Sequence, residues 1–332
     1  MGLLIDGQWR DQWYDTGDSG RFQREEAQHR HWITADGAPG PSGEGGFAAE
    51  PGRYHLYVSL ACPWAHRTLI LRELKNLQPL IGVSVVSWLM RDHGWTFDAK
   101  HGASGDALND LTYLHQRYKV DDAHYTGRVT VPLLWDTQRE CIVSNESAEI
   151  IRMLNGAFDE LTDNRLDFYP EHLRKQIDAL NDRIYPAINN GVYRAGFATC
   201  QAAYEEAFDE LFATLDSLDA SLGSRRYLAG EHLTEADIRL FTSLIRFDAV
   251  YHGHFKCNLR LLEDYPNLSN WLRELYQWPG VAKTVDFTHI KSHYYASHAT
   301  INPTGVIPKG PSLLLERSHD RERLPGKGIY QR

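Results

Sequence analysis

Residues 54–60, Y-H-L-Y-V-S-L, read as a strand, and P-W-A-H-R-T-L-I-L-R-E-L-K-N-L from residue 63 reads as a helix, with Ile70, Leu74 and Leu77 at i, i+4 and i+7. Cys62 stands at this junction, with Pro63 next to it. Proline suits the first helical position, because it lacks an N–H that would go unpaired there. The helix's first free N–H groups carry partial positive charge, which favours a thiolate on a residue just before them. His66 and Arg67 lie one turn further on. A buried, inert thiol is the ordinary state of a lone cysteine. The coincidence of strand end, helix start and proline instead points to a reactive one.

The segments that follow extend this start into a domain. V-S-V-V-S-W-L reads as a second strand, and a polar insertion containing W-T-F carries a helix around Leu108 to Tyr118. V-T-V-P-L-L-W-D and E-C-I-V-S form a hairpin, and S-N-E-S-A-E-I-I-R-M-L a closing helix. The order β-α-β-(α)-β-β-α predicts an α/β thioredoxin-like domain over residues 51–155. Residues 1–50, rich in Gly and polar residues, read as an extended arm that wraps the body. After an acidic linker over 156–172, residues 173–300 read as an all-α domain. Phe208, Leu211, Phe212, Leu215, Leu218 and Leu222 make one apolar helix stripe there, and Thr234 with Asp237 forms a capping signal. Residues 301–332 return to Gly, Pro and charge and read as a surface tail.

Composition narrows the function. A chain of 332 residues with 42% hydrophobic content can fill two cores. The net charge of −9 and the absence of a local basic patch exclude nucleic acid as a partner. The N-terminus is acidic and interrupted, and no segment approaches membrane-spanning length, so the expectation is a cytoplasmic protein without membrane partners. Cys62, Cys141, Cys200 and Cys257 lie too far apart for a disulfide framework and read as thiols. Asp6 stands where an N-myristoylation motif needs Ser or Thr. The histidines, among them H-R-H at 29–31, H-G-H at 252–254 and the pair His289 and His293, lack the companions of a zinc site, so no metal is expected. G-E-G-G-F has neither the preceding strand nor the following helix of a phosphate loop.

Ala65 stands where a second cysteine would complete C-x-x-C. Whatever Cys62 captures must therefore be released by another thiol, most simply a soluble one. Pro132 inside V-T-V-P-L-L is compatible with an ordinary trans edge residue, or with a cis bond that exposes the Val131 backbone to a peptide-like ligand. Glu146 and Ser147 open a helix, where they either cap it or hold a carboxylate.

S-L-A-C-P-W-A-H-R, G-W-T-F, R-V-T-V-P-L-L-W-D, S-N-E-S-A-E-I-I-R-M, N-N-G-V-Y-R-A-G-F-A, L-T-E-A-D-I-R-L, H-F-K-C-N and I-N-P-T-G together resemble the glutathionyl-hydroquinone reductases, the Xi class of glutathione transferases. The resemblance runs from the arm to about Gly310. It implies the glutathione transferase fold, a homodimer, and glutathione as co-substrate with no permanently bound cofactor. It makes Cys62 the nucleophile and assigns glutathione to Trp95, Arg128, Val129, Thr130, Val131, Glu146 and Ser147. It places Tyr193, Tyr251 and Tyr294 on the substrate side, with Tyr193 as proton donor. The implied reaction takes glutathione off a glutathionyl-hydroquinone, giving hydroquinone and glutathione disulfide. Two rival readings are a general glutathione transferase with thioltransferase or dehydroascorbate reductase activity, and a non-catalytic transferase-like module. Ordinary conjugation sits poorly with Cys62, which would trap glutathione as a disulfide.

Overall fold

The segment L-L-I-D-G-Q-W-R closes into a two-residue hairpin of β1 (Leu3–Ile5) and β2 (Gln8–Arg10). Asp6 and Gly7 both take positive φ, 47° and 67°, the turn whose twist matches the flanking strands. The other edge of β1 pairs antiparallel with Gly127–Arg128, so the arm begins as part of a three-stranded sheet. Leu4 is fully buried in a core cluster with Trp95, Val129 and Val131. Further along the arm, Arg30 bridges to Ser144 and the His31 N–H donates to the Val143 carbonyl at 2.8 Å.

The computed structural model describes residues 2–332. Its main sheet has the order β4 (Ile81–Val85), β3 (Tyr54–Val58), β6 (Leu133–Asp136), β7 (Cys141–Ser144). All five residues of β3 (Tyr54–Val58) are buried, because it lies between two neighbours. After β3 come α1 (Pro63–Leu74) and β4 (Ile81–Val85), parallel to β3. The insertion then runs to α2 (Leu114–Asp121), shorter and later than the helix expected around Leu108 to Tyr118. Asp106 displaces the helix start. Its carboxylate accepts from the Tyr57 hydroxyl at 2.8 Å, from Arg117 at 3.1 Å and from the N–H groups of Leu108, Asn109 and Leu111, which holds residues 107–111 in turns. After β5 (Gly127–Arg128) come β6 (Leu133–Asp136) and β7 (Cys141–Ser144), an antiparallel hairpin. Next are α3 (Ser147–Gly156), packed beside α1, and α4 (Asp159–Thr162).

The chain resolves into two compact units that do not follow its linear order. The first takes the chain up to Trp13, Glu25–Arg165 and Thr284–Ile307, and the second Tyr14–Arg24, Leu166–Lys283 and Pro308–Arg332. In the second unit, β8 (Leu166–Asp167) leads into α5 (Arg174–Ile184), a single wide turn over Tyr185–Asn189, and α6 (Gly191–Gly196). The long α7 (Gln201–Leu222) buries Leu211, Phe212, Leu215, Leu218 and Leu222 and leaves Phe208 half-buried. After β9 (His232–Leu233) comes α8 (Glu235–Leu244), capped as its sequence predicts. The Asp237 carboxylate accepts from the Thr234 N–H at 3.0 Å. Then come α9 (His252–His254) and α10 (Pro266–Gln277). The following helix, α11 (Phe287–Ser297), belongs to the first unit.

Residues 301–332 are mostly exposed, and their composition gives no sign that the end of the stretch joins a sheet. β10 (Gly328–Gln331) is the middle strand of a sheet ordered β8-β10-β9, and Arg321 is fully buried. Among the described residues no helix is long and apolar enough to cross a membrane.

Candidate active site

Cys62 is the N-cap of α1, extended at φ −76° and ψ 121°, with Pro63 in the first helical turn. The turn is set locally: the Cys62 N–H donates to the Ser59 carbonyl at 3.1 Å, and the His66 N–H to the Cys62 carbonyl at 3.0 Å. The thiol is half-buried, whereas Ala65, the place of a resolving thiol, is fully buried. The Val131–Pro132 bond is cis, and the Cys62 Sγ donates to the Val131 carbonyl at 3.4 Å. Two opposing effects meet at this sulfur. The helix start favours the thiolate, and the carbonyl favours the thiol.

Beside it, α3 presents a second helix start. Glu146 caps this helix through a 2.8 Å bond from the Ala148 N–H. The Ser147 hydroxyl accepts from Arg67 at 3.3 Å, and the Arg67 guanidinium lies 4.5 Å from the Trp64 ring centre. Thr130 is fixed at both backbone atoms by Tyr118, whose hydroxyl donates to its carbonyl at 3.0 Å and accepts from its N–H at 3.2 Å. Burial raises the Tyr118 phenol above its ordinary pKa, which keeps this donor protonated. Val129 is buried in the core cluster. Arg128, expected to hold glutathione, is tied to the arm. Its guanidinium, 8% exposed, donates to Glu25 at 3.1 Å and to the arm carbonyls of Gln12 at 2.6 Å and Trp13 at 3.3 Å.

Trp95 is 5% exposed, and its ring stacks on His293 at 5.0 Å and 23°. The His293 Nδ1 lies 2.9 Å from the Trp88 carbonyl, which makes that nitrogen the donor. Tyr294 packs edge-on against His293 and His298. In the second unit, Tyr193 and Tyr251 come together at 6.1 Å between ring centres, both against Phe255 at 5.5 Å. Two participants carry no sequence signal of their own. His293 shows only as half of a four-apart pair weighed for zinc, and Arg24 lies in the arm with its guanidinium 5.0 Å from the Tyr193 ring centre.

The other thiols differ from Cys62. Burial pushes Cys141 up to about 11 and raises Cys257 further. Cys141 also pairs with Asp136, which stands opposite Tyr54 at one end of β3, whereas Cys62 follows the other end. Cys200 is exposed at the start of α7. Among the described residues there is no group of three or more His, Cys, Asp or Glu side chains that could hold a metal ion.

Residues 61–157 match the family model of the glutathione S-transferase N-terminal domain, and residues 201–274 that of the C-terminal domain. The chain is 58% identical over 324 residues to glutathionyl-hydroquinone reductase YqjG of Escherichia coli, covering 97% of this chain and 99% of that one. It is 54% identical to glutathionyl-hydroquinone reductase PcpF of Sphingobium chlorophenolicum, covering 95% and 98%. The glutathione-bound structure of YqjG superposes with a TM-score of 0.90 at 56% identity over 97% of this chain and 99% of that one. The Xi-class transferase of Natrialba magadii gives 0.90 at 45% identity over 98% of each chain.

Proposed function

Because the chain belongs to the glutathionyl-hydroquinone reductases, the Xi class of glutathione transferases, we propose that it uses glutathione to reduce glutathionyl-hydroquinones to hydroquinones and releases glutathione disulfide. The observation that carries this reading is the half-buried Cys62 thiol at the start of α1, next to the Val131 carbonyl. The bound tripeptide runs along the Val131 backbone, with its γ-glutamyl carboxylate at the start of α3 beside Glu146 and Ser147. Trp95 and the Arg128, Val129 and Thr130 segment leading to Val131 complete the grip on glutathione.

The Cys62 thiolate attacks the glutathionyl sulfur. An aryl carbanion is too poor a leaving group, so the ring first takes up its ketone form. Tyr193 protonates the carbon bearing sulfur, while a ring hydroxyl gives up its proton. As the carbon–sulfur bond breaks, its electron pair rearomatises the ring and settles on that oxygen, where Tyr251 and Tyr294 stabilise the charge. The ring is reduced by two electrons and the two sulfurs are oxidised to the mixed disulfide. A second glutathione thiolate attacks the glutathionyl sulfur of that disulfide, returning the Cys62 thiolate and giving glutathione disulfide. The missing partner at Ala65 fits this cycle, since the resolving thiol is a substrate. The protein works as a cytoplasmic homodimer with no resident cofactor.

Intact mass tests the scheme. Given a glutathionyl-hydroquinone and limiting glutathione, wild type gains one glutathione on Cys62, whereas Cys62→Ala gains none and is inactive. Turnover retained in Cys62→Ala excludes the covalent path. Tyr193→Phe slows hydroquinone release, and an unchanged rate removes Tyr193 from the acid role.

A further inference from the structure

The arm residue Arg24 belongs to the same compact unit as Tyr193. Its guanidinium carbon lies 5.0 Å from the centre of the Tyr193 ring and 5.4 Å from that of Phe22, and the two rings are nearly parallel, at 30° and 6.5 Å. Its Nε donates to the Asn190 Oδ1 at 3.1 Å, which fixes the plane of the cation one turn before Tyr193. Phe22 is 4% exposed and packs also on Tyr14 and Phe197, so the platform is rigid. A cation held on a phenol face is attracted by the ring quadrupole, and more strongly once the ring becomes a phenolate.

We propose that Arg24 is a positioning residue that tunes Tyr193. By standing on the phenol face it makes the hydroxyl a stronger acid, and so speeds proton delivery to the ring carbon. This rests on the role proposed for Tyr193 above. Other charged and titratable groups also stand around α6. Tyr251 approaches from the wide turn over 247–251 and is neutral as a phenol, and Tyr185 precedes α6 and is 37% exposed. Arg194 is committed to Glu206 at 3.2 Å and Glu210 at 2.6 Å on α7, and Arg21 pairs with the same Glu206. His254 packs on Phe255. Burial raises Cys257 far above the ordinary thiol range and keeps it uncharged.

The test reads the Tyr193 phenol directly, as tyrosinate absorbance against pH in wild type minus Tyr193→Phe. The same subtraction is made between Arg24→Gln and the Arg24→Gln, Tyr193→Phe double variant. The expected result is a midpoint about one pH unit higher without the cation and a roughly tenfold fall in kcat, with KM for glutathione unchanged. In the Tyr193→Phe background, Arg24→Gln should have little further effect on kcat. Coincident titrations, or an undiminished Arg24→Gln effect in that background, overturn the proposal. If Arg24→Gln does not fold, Arg24→Met serves. It likewise removes the charge, so its midpoint should rise by as much, and a midpoint at or below wild type overturns the idea. Failure of the reductase reading shows separately, as wild type that forms no Cys62–glutathione adduct, and the absorbance subtraction needs no turnover.

Discussion

At the scale of single residues the sulfur of Cys62 is balanced between a helix start and the Val131 carbonyl, and ligand binding should tip the balance. A peptide-like ligand lying along Val131 offers its own N–H to that carbonyl, which releases the thiol from it while the helix start still favours the thiolate. Thiolate absorbance in wild type minus Cys62→Ser should therefore titrate to a lower midpoint with S-methylglutathione than without it. A midpoint that stays put or rises means that the carbonyl is not surrendered. Cys62 itself was legible in the sequence because everything that defines it lies within a few residues: strand end, proline and helical period. Arg128 was not. Its partners are Glu25 and two backbone carbonyls of the arm more than a hundred residues away, and nothing in R-V-T-V-P marks a guanidinium as already committed. The same holds for Arg24 and His293, whose significance lies in which ring they meet across the fold.

Among elements the clearest contrast is between α8 and β10. The start of α8 could be read directly, since Thr234 and Asp237 satisfy each other three residues apart. β10 could not, because its partners are two-residue strands far back in the chain and it is only four residues long, after a stretch rich in Gly, Pro and charge. What fixes the tail is Arg321, which is fully buried. It donates to the Leu222 carbonyl at 2.8 Å, the Arg226 carbonyl at 2.6 Å and the Arg225 carbonyl, and so closes the C-terminal end of α7. The Leu222 carbonyl is among the last of α7 and the other two lie in the chain just beyond it, and a cation at this end also meets the negative pole of the helix. Arg321→Met removes three charge-assisted bonds and leaves Glu274, 3% exposed, with less opposing charge. It should cost about 3 kcal/mol in denaturant unfolding, with β10 losing hydrogen-exchange protection first. A variant as stable as wild type would show that water satisfies those carbonyls and that the tail is not held by Arg321.

For the whole molecule, the two units are built from interleaved stretches, so composition along the chain could suggest two cores but not which segments each core recruits. Their buried titratable groups also differ in kind. The first unit holds His29, His55, His115 and His289, all lowered by burial, with His55 and His115 at about 4. A histidine that is neutral in the folded state and ordinary when unfolded leaves the unfolded chain with more bound protons between about pH 6.5 and 4. Its contribution is therefore complete above pH 6.5 and is lost as the pH falls toward 4. For His55, 5% exposed and bonded to Ser84 at 2.8 Å, that loss is about 2–3 kcal/mol. In the second unit the main shifts run the other way. Burial raises Asp237 to about 6 against the pull of its four donors, and raises Asp248 as well. Such acids contribute most below their ordinary pKa, and the contribution is lost as the pH rises through the folded value. Acidification from pH 7 to 5 should accordingly loosen the first unit while partly compensating the second. Peptide-resolved hydrogen exchange, corrected for intrinsic rates, should show protection falling over β3, α1 and α2 before α8 and α10. The reverse order, or a uniform loss, would mean that the buried histidines do not govern acid stability, and His55→Gln should then leave the pH slope unchanged rather than flatten it.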